Sequence, residues 1–553
     1  MVWSRCRLNF VTIPLPRRKR PLKHGSTESR ATEAREHGGK YLFRDSVFLW
    51  LVVAWFGASV ASFGRQPLST TKTVPVLVSV PHGAAAGNLL RTGILRRLLE
   101  ADEAVRVVLL SPLVKDPEFV REVRHSRVHF EDLPPHRPAG LEARLQALMQ
   151  AAYLNSGLTE SVEIRRAEAL AKGTVRWIGA KALLAKLLAP SMVRRPTRYQ
   201  VSDSWIRHPG AEEIFDRHNP VLLIVSSPGL IFSEVPLLRT AARRCIASMA
   251  IDPSWDNFTN KLLPVRRVTR LVVWNELMKE QAVDLHGYDA DEVRIAGTPQ
   301  WDRYFRDGGG VNRSAFFARI GADPRRKLIT LTTTPRELYS HHDHVLRVLS
   351  SAIETGRCSQ PAQVLVRLHP RDALEHYRQF EGMPHIIIEK PFRQTVRTGD
   401  GLSVDVTTDS QQHLADTMRH SDVIVNVAST ISIEAAIFDT PVVNVAFDGQ
   451  EPSEWTRSAR RYYRFTHYVN ITRHGAVRVA ESPEQLIEYV GRYLDDPMLD
   501  REGRARVVRE QCQFLDGRAA ERVAGFVVDE LTRVTGRQIA QTASCVELQA
   551  SSR

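Results

Sequence analysis

SDVIVNVASTISIEAAIFDTPVVNVAFD, running from Ser421 to Asp448, reads as two buried strands with a helix between them. DVIVNVA (Asp422 to Ala428) and PVVNVAF (Pro441 to Phe447) are continuous apolar runs rather than alternating ones, the pattern of parallel strands covered by helices on both faces. Strand, tight loop, helix and strand is the repeating unit of a doubly wound sheet. Ser429 and Thr430 fall where the helix must open. There, hydroxyls, backbone N–H groups and the helix dipole together form an anion site suited to a pyrophosphate. Glu434 lies one turn deeper on the same face, where a carboxylate can accept hydrogen bonds from ribose or polyol hydroxyls. The plain structural alternative is that Ser429 or Thr430 caps the helix and Glu434 complements its dipole. A capping box would need its acid three residues after the cap, and Ser432 and Ile433 stand there.

The same unit recurs in both directions. Downstream of Arg326 the strands are LITLTTT (Leu328 to Thr334), QVLVRLH (Gln363 to His369), HIIIEK (His385 to Lys390) and the two already quoted, with helices from Pro483 to about Val534. Upstream they are VPVLVSV from Val74, VRVVLLS from Val105, VLLIVSS (Val221 to Ser227), CIASMAI ending at Ile251, RLVVWN (Arg270 to Asn275) and VRIAGT (Val293 to Thr298). The expected organisation is a basic tail (1–72), a first α/β domain (73–305) with a helical insertion at about 140–200, a polar linker (306–326) holding Gly308, Gly309 and Gly310, a second α/β domain (327–536) and a short tail (537–553). Two doubly wound Rossmann-like domains face a cleft, and ligands of such sheets gather at the carboxyl ends of the strands.

Composition narrows the function. Hydrophobic residues at 43% and charged residues at 25% exclude a disordered, fibrous or multi-span membrane chain. The net charge of +14 is concentrated in the tail, where thirteen basic residues against four acids give 13 − 4 = +9 and leave 14 − 9 = +5 for the body. That balance suits an enzyme handling anionic donors or working beside anionic lipid and does not call for nucleic acid. The five cysteines form no CxxC or Cys/His pattern, as expected in a reducing compartment. Ser46 to Gly64 is uncharged and reaches the lower length limit of a spanning helix, yet the positive-inside rule would then place the body away from nucleotide donors. The expectation is a cytoplasmic enzyme, peripheral to or anchored at the inner face of the plasma membrane. Ala171 to Gln200, with seven basic residues, no acid and interleaved Trp177, Leu183 and Leu187, is the candidate contact with an anionic surface.

The Ser421–Asp448 segment resembles the nucleotide-binding half of GT-B glycosyltransferases, especially the CDP-glycerol glycerophosphotransferase-like and surface-polysaccharide transferases. The resemblance implies that Ser429, Thr430 and Glu434 hold the donor. VRLHPRD (Val366 to Asp372) is similar to RxHP segments of the same families and implies donor contact for Arg367, His369 and Arg371, groups that phosphate oxygens require. In the first domain DPSWDNFTNK (Asp252 to Lys261), VVWNELMKEQAVDLHGY and GTPQWDRYF resemble surface-carbohydrate transferases, which places Trp255, Asn257 and Lys261 on the acceptor side. The teichoic-acid polymerases carry a His-Gly pair where this chain has Asp256 and Asn257, so a histidine base cannot be carried over.

Two residues compete for the role of general base. Desolvation in a closed cleft can raise the basicity of Asp256, and His82 stands on the loop after the first strand. Against Asp256 stands an ordinary turn role, since Asp and Asn bond nearby backbone. Thr332, Thr333, Thr334 and Arg336 open the second domain's first loop and can also cradle phosphate. Asp252 and Asp256 do not form the DxD arrangement of metal-dependent transferases, and neither a metal nor a resident cofactor is expected; the nucleotide-activated donor is a substrate. The expected function is transfer of a glycosyl or glycerol-phosphate-like group to a hydroxyl of a glycan or lipid-linked acceptor in capsule or teichoic-acid-like polymer synthesis. The alternatives are a UDP-sugar 2-epimerase and a non-catalytic binding protein on the same scaffold.

Overall fold

The computed structural model describes residues 73–173, 203, 205–261, 263–306, 310–398 and 404–536. The basic tail with its apolar segment 46–64, nearly all of the basic segment Ala171–Gln200, Gly308 and Gly309 of the linker and the tail 537–553 lie outside the described residues. Among the described residues no helix is long and apolar enough to cross a membrane. The chain divides into units 1–64 and 65–553, and the second contains both sheets.

The first sheet has seven strands, β1 (Val74–Ser79), β2 (Val105–Leu110), β3 (Val128–Glu131), β4 (Leu222–Val225), β5 (Ala247–Ile251), β6 (Arg270–Val273) and β7 (Val293–Ile295). They are hydrogen-bonded in the order β3-β2-β1-β4-β5-β6-β7, every pair parallel. The second sheet contains β8 (Lys327–Thr332), β9 (Ala362–Arg367) and β10 (Ile386–Glu389). Beyond a small antiparallel pair, β11 (Arg393–Gln394) with β12 (Val404–Asp405), it continues with β13 (Val423–Asn426), β14 (Val442–Val445) and β15 (Arg478–Ala480). Its order, β10-β9-β8-β13-β14-β15, is again wholly parallel. Strand order reverses between β1 and β4 and between β8 and β13, so each sheet has a crevice at those carboxyl ends. This is the GT-B arrangement. The central strands β4, β5, β9, β13 and β14 are buried along their whole length, which is why they read as unbroken apolar runs.

The strands absent from the sequence reading are β3, β15 and the β11–β12 pair. VHFE and RVA are edge strands with partly exposed residues, and an edge tolerates the charges that hide its periodicity.

The last helix, Ala519–Thr535, falls by sequence in the second domain but packs on the first. Ala520, Val523, Val527 and Leu531 are buried in the same cluster as Val76, Leu98 and Val107, and Arg97 and Arg270 pair with Glu521 and Glu530. The chain therefore crosses back to close the molecule. Its landing is fixed by Asp302 of the GTPQWD motif, whose two carboxylate oxygens accept the N–H groups of Ala519 and Ala520, each at 2.8 Å. Asp302→Ala, which strips an acid from a helix start, is expected to lower stability by about 1–2 kcal/mol, read as a shift in the denaturant midpoint. An unchanged midpoint would show that the helix is held by its apolar face alone. The linker too is partly structured: helix Arg313–Ile320, capped by the Asn312 side chain, buries Phe316 and Phe317 against Leu328 and Leu365.

The halves meet along small residues and ion pairs. A Cβ on Gly83 would lie 2.7 Å from the Val404 carbonyl oxygen, so the GAAAGNL helix (Gly83–Leu89) can approach the second half only because its leading residue has no side chain. Arg91 donates to both Asp405 oxygens at 2.8 and 2.7 Å. The insertion helix Glu160–Ala171 adds Glu168–Arg461 at 2.6 Å, a Glu160–Arg464 ion pair, and the Ser161 hydroxyl accepting from Thr466 N–H.

Candidate functional site

The loop after β13 delivers Ser429, Thr430 and Glu434 to the switch point of the second sheet. The helix begins at Ile431, with Thr430 as its cap residue making no side-chain cap bond. The Ser429 hydroxyl accepts from Ile431 N–H at 3.1 Å, so the capping alternative applies to Ser429 and not to Thr430. Glu434 is 6% exposed and its Oε2 accepts from the Tyr304 hydroxyl at 2.6 Å. Tyr304 ends the GTPQWDRY segment of the first half, so this buried bond joins the two halves. Burial raises the Glu434 carboxyl to about 7, against the opposing pull of Tyr304 and the nearby Arg367 charge.

The loops after β8 and β9 stand beside it, with their groups used differently from the sequence expectation. Arg367 is buried and committed to Glu389, Nη1 to Oε1 at 2.8 Å, and the other Glu389 oxygen lies 2.7 Å from His413 Nε2. Its charge acts on Glu434 and Tyr304 from a fixed position, so it is not an open phosphate clamp. Thr333 is also inward, its hydroxyl accepting from His369 N–H at 2.9 Å, which ties the two loops together. His369 Nδ1 accepts from Arg371 N–H at 3.1 Å, and burial with the Arg371 charge pushes its imidazole down to about 4, hence neutral. In the loops after β8 and β9 the cations whose side chains have no hydrogen-bond or ion-pair partner among the described residues are the half-buried Arg336 and the exposed Arg371, and these two are free to meet phosphate oxygens.

The loop after β5 forms the opposite wall. Trp255, placed on the acceptor side by sequence, is buried 5.0 Å from the His467 ring and 5.9 Å from Tyr468, and so plugs into the second half. Tyr468 donates to Asn444 Oδ1 at 2.6 Å, meets Ser432 Oγ at 2.9 Å and lies against the Ser429 backbone, which links the donor loop to the Trp255 loop. Asn257 is likewise buried, its amide donating to Asp252. Lys261 is half exposed, Nζ 3.1 Å from Asp256 Oδ1.

Asp256 and His82, the two candidate bases, are both engaged in local structure. Although burial works the other way, the Lys261 and His467 charges and the Ser254 hydroxyl, 2.5 Å from Oδ1, hold Asp256 well below the usual carboxylate range. The carboxyl that burial does raise, to about 7, is Asp252, four residues earlier, whose Oδ2 has no hydrogen bond. His82 caps helix Gly83–Leu89, and its Nδ1 lone pair is taken by Ala85 N–H at 3.2 Å. Tyr304 and Asp252 stand inside motifs already legible as GTPQWDRYF and DPSWDN, so their signal was present. His467 and Tyr468, in the helix Thr466–Thr472, carry no motif and read as core. The first sheet's switch point holds Glu234, fully buried, raised to about 7 by burial and accepting from Ser226 and Ser227; it braces the loop after β4.

The sequence profile of CDP-Glycerol:Poly(glycerophosphate) glycerophosphotransferase matches residues 247–529, just over half the chain and the part that carries the Trp255 loop, the whole second sheet and most of the returning helix. A lipid-A-disaccharide synthase of Geobacter metallireducens is 24% identical over 282 residues, 48% of this chain and 65% of that protein, so the chain spans just under two thirds of that relative's length. Among solved structures, the UDP-GlcNAc 2-epimerase of Neisseria meningitidis bound to UDP-GlcNAc aligns at 10% identity and TM-score 0.46 over 83% of this chain and 100% of that one. The wall teichoic acid polymerase TagF aligns at 10% identity and TM-score 0.46 over 84% and 89%.

Proposed function

The chain belongs to the CDP-glycerol:poly(glycerophosphate) glycerophosphotransferase family, and from that premise we propose that it transfers a glycerol-phosphate-like or glycosyl group from a nucleotide-activated donor to a hydroxyl of a cell-surface polymer. The observation that carries the reading is the Glu434 carboxyl, buried where the two sheets face each other and bonded to Tyr304 of the opposite half. A carboxyl in that position binds donor hydroxyls only when the halves are together, so donor binding and cleft closure are coupled. Arg336 and Arg371 would meet the donor phosphates, and the charge on the departing nucleotide would be stabilised by them and by the N–H groups after β13. On the other wall the acceptor hydroxyl attacks the donor, the bond to the nucleotide phosphate breaks, and the hydroxyl proton passes to a base. Asp252, raised to about 7, is suited to that proton and Asp256 is not.

The lipid-A-disaccharide synthase likeness favours a second form of the same reading, with a sugar nucleotide as donor. A thermal-shift titration with CDP-glycerol, UDP-GlcNAc and GDP- and dTDP-linked sugars separates them. A true donor at about 100 times its Kd adds about 2.7 kcal/mol to apparent stability. The stabilising donor should then release its nucleotide only when polymer acceptor is present, and Asp252→Asn should remove the limb of the rate profile that rises near pH 7. No shift with any donor would overturn the assignment, and conversion of the donor sugar without acceptor would replace it with epimerisation.

A further inference from the structure

In the first half, away from the residues of the cleft, a buried cluster holds polar atoms that the fold leaves without hydrogen bonds. His136 precedes the helix Gly140–Leu154, Glu142 lies in its first turn, and His208 stands immediately before the helix Pro209–His218. One ligand atom from each comes within 4.8 Å of the others. His136 Nε2 is 3.0 Å from Glu142 Oε2, His208 Nε2 is 3.8 Å from Glu142 Oε1, and the two rings meet edge-on at 5.0 Å. Glu142 is 6% exposed, and both its Oε1 and His208 Nε2 are buried with no hydrogen bond. His208 sits at the cap position of its helix yet makes no side-chain cap bond, so the ring is turned to the cluster instead.

We propose that His136, Glu142 and His208 bind a divalent transition-metal ion, zinc by the chemistry of the donor set, which staples the helical insertion to the first sheet. Two imidazoles and one carboxylate are a recognised zinc set, with a water in the fourth position. Donors about 2.0–2.1 Å from a tetrahedral ion stand about 3.3 Å apart. The observed 3.0 and 3.8 Å, one to each oxygen of the Glu142 carboxylate, lie on either side of that value, and with the three ligand atoms within 4.8 Å of one another side-chain shifts of about an ångström would seat the ion. The competitor is Arg239, whose Nε is 3.5 Å from Glu142 Oε1 and whose Nη1 is 3.5 Å from Asp203. Neither of those nitrogens makes a hydrogen bond, and Asp203, also paired with Arg266, can balance the Arg239 charge and leave Glu142 to the ion. The staple would close a stretch of 208 − 142 = 66 residues, and ion binding to the folded state alone adds directly to its stability.

The test uses the full-length protein, stripped with chelator and titrated with Zn2+. One ion per chain should survive gel filtration, raise Tm, and on replacement by Co2+ give the visible absorption of a four-coordinate site. His208→Ala should weaken Zn2+ affinity by more than the roughly 10–100-fold seen when only a supporting residue of a metal site is lost. His136→Ala, at a ring that is 19% exposed and so easier to truncate, gives a second reading of the same loss if His208→Ala fails to fold. His129→Ala, in the more exposed His129–Glu131–His218 grouping, should leave the affinity unchanged. Wild-type protein that retains no ion, or retains it equally in both cluster variants, would show that Glu142 belongs to Arg239 as a buried ion pair.

Discussion

Glu434→Gln is expected to weaken donor binding by roughly 10- to 150-fold, the equivalent of the about 1.5–3 kcal/mol that a hydrogen bond to a charged group contributes, while the protein stays folded. The amide keeps the shape of the carboxyl and can still accept from the Tyr304 hydroxyl, so the contact across the cleft survives and only the charge is lost. The wild-type carboxyl ionises near pH 7, so its affinity for donor should rise as pH is taken from about 6 to about 8, and that of the variant should stay flat. Stability changes with the opposite sign. A carboxyl raised from 4.5 to about 7 by folding contributes stability that is fully present below 4.5 and is lost as pH rises through 7. The variant should lack that fall, of about 3 kcal/mol, between denaturation midpoints measured near pH 5 and pH 8. Isothermal titration with the donor found by thermal shift reads the first effect. Equal affinities in wild type and variant would detach the donor from this carboxyl altogether.

Asp405→Ala should cost about 3–5 kcal/mol, the range for breaking a buried pair from one side. Asp405 is fully buried and accepts from both Nη atoms of Arg91 and from Arg393 Nη2 at 2.8 Å. Arg91 is itself 2% exposed at the side chain, and Arg393 extends the network to Asp116 and Glu118 at 2.9 and 2.6 Å. Removing the shared acid leaves two guanidinium groups facing each other between the halves. Glu122, the other partner of Arg91, is 40% exposed and supplies the control: Glu122→Ala should cost no more than about 1 kcal/mol. If chemical denaturation gave the two variants the same small loss, the buried network would not be what holds the first half to the β11–β12 pair.

The motif residues were readable because strand ends carry local marks. Continuous apolar runs closing in Ser429–Thr430, in Leu368–His369–Pro370 or in Asp252–Pro253 identify the carboxyl ends of buried parallel strands; the first follows β13 at a switch point, and the other two follow β9 and β5, each one strand away from one. The roles within those loops were less readable. Thr333, Asn257 and Trp255 occupy the right loops, yet their polar atoms or rings are spent on holding one loop against another. Arg367 and Arg371 are four residues apart in one motif, but only the first meets Glu389, a partner that β10 brings alongside β9. Asp252 and Asp256 diverge for the same reason: burial dominates at one, and at the other it is outweighed by Lys261 and by His467 from the far half.

Chain order alone was enough to establish two doubly wound sheets in tandem, since the covering of both faces of a parallel strand imposes a local apolar pattern that needs no long-range information. Which carboxyl is basic, which arginine is free and which helix closes the first half came only with the packed molecule. Those properties depend on desolvation and on partners such as Tyr304 and Glu434, or Asp302 and Ala519, that are far apart in the chain and adjacent in space.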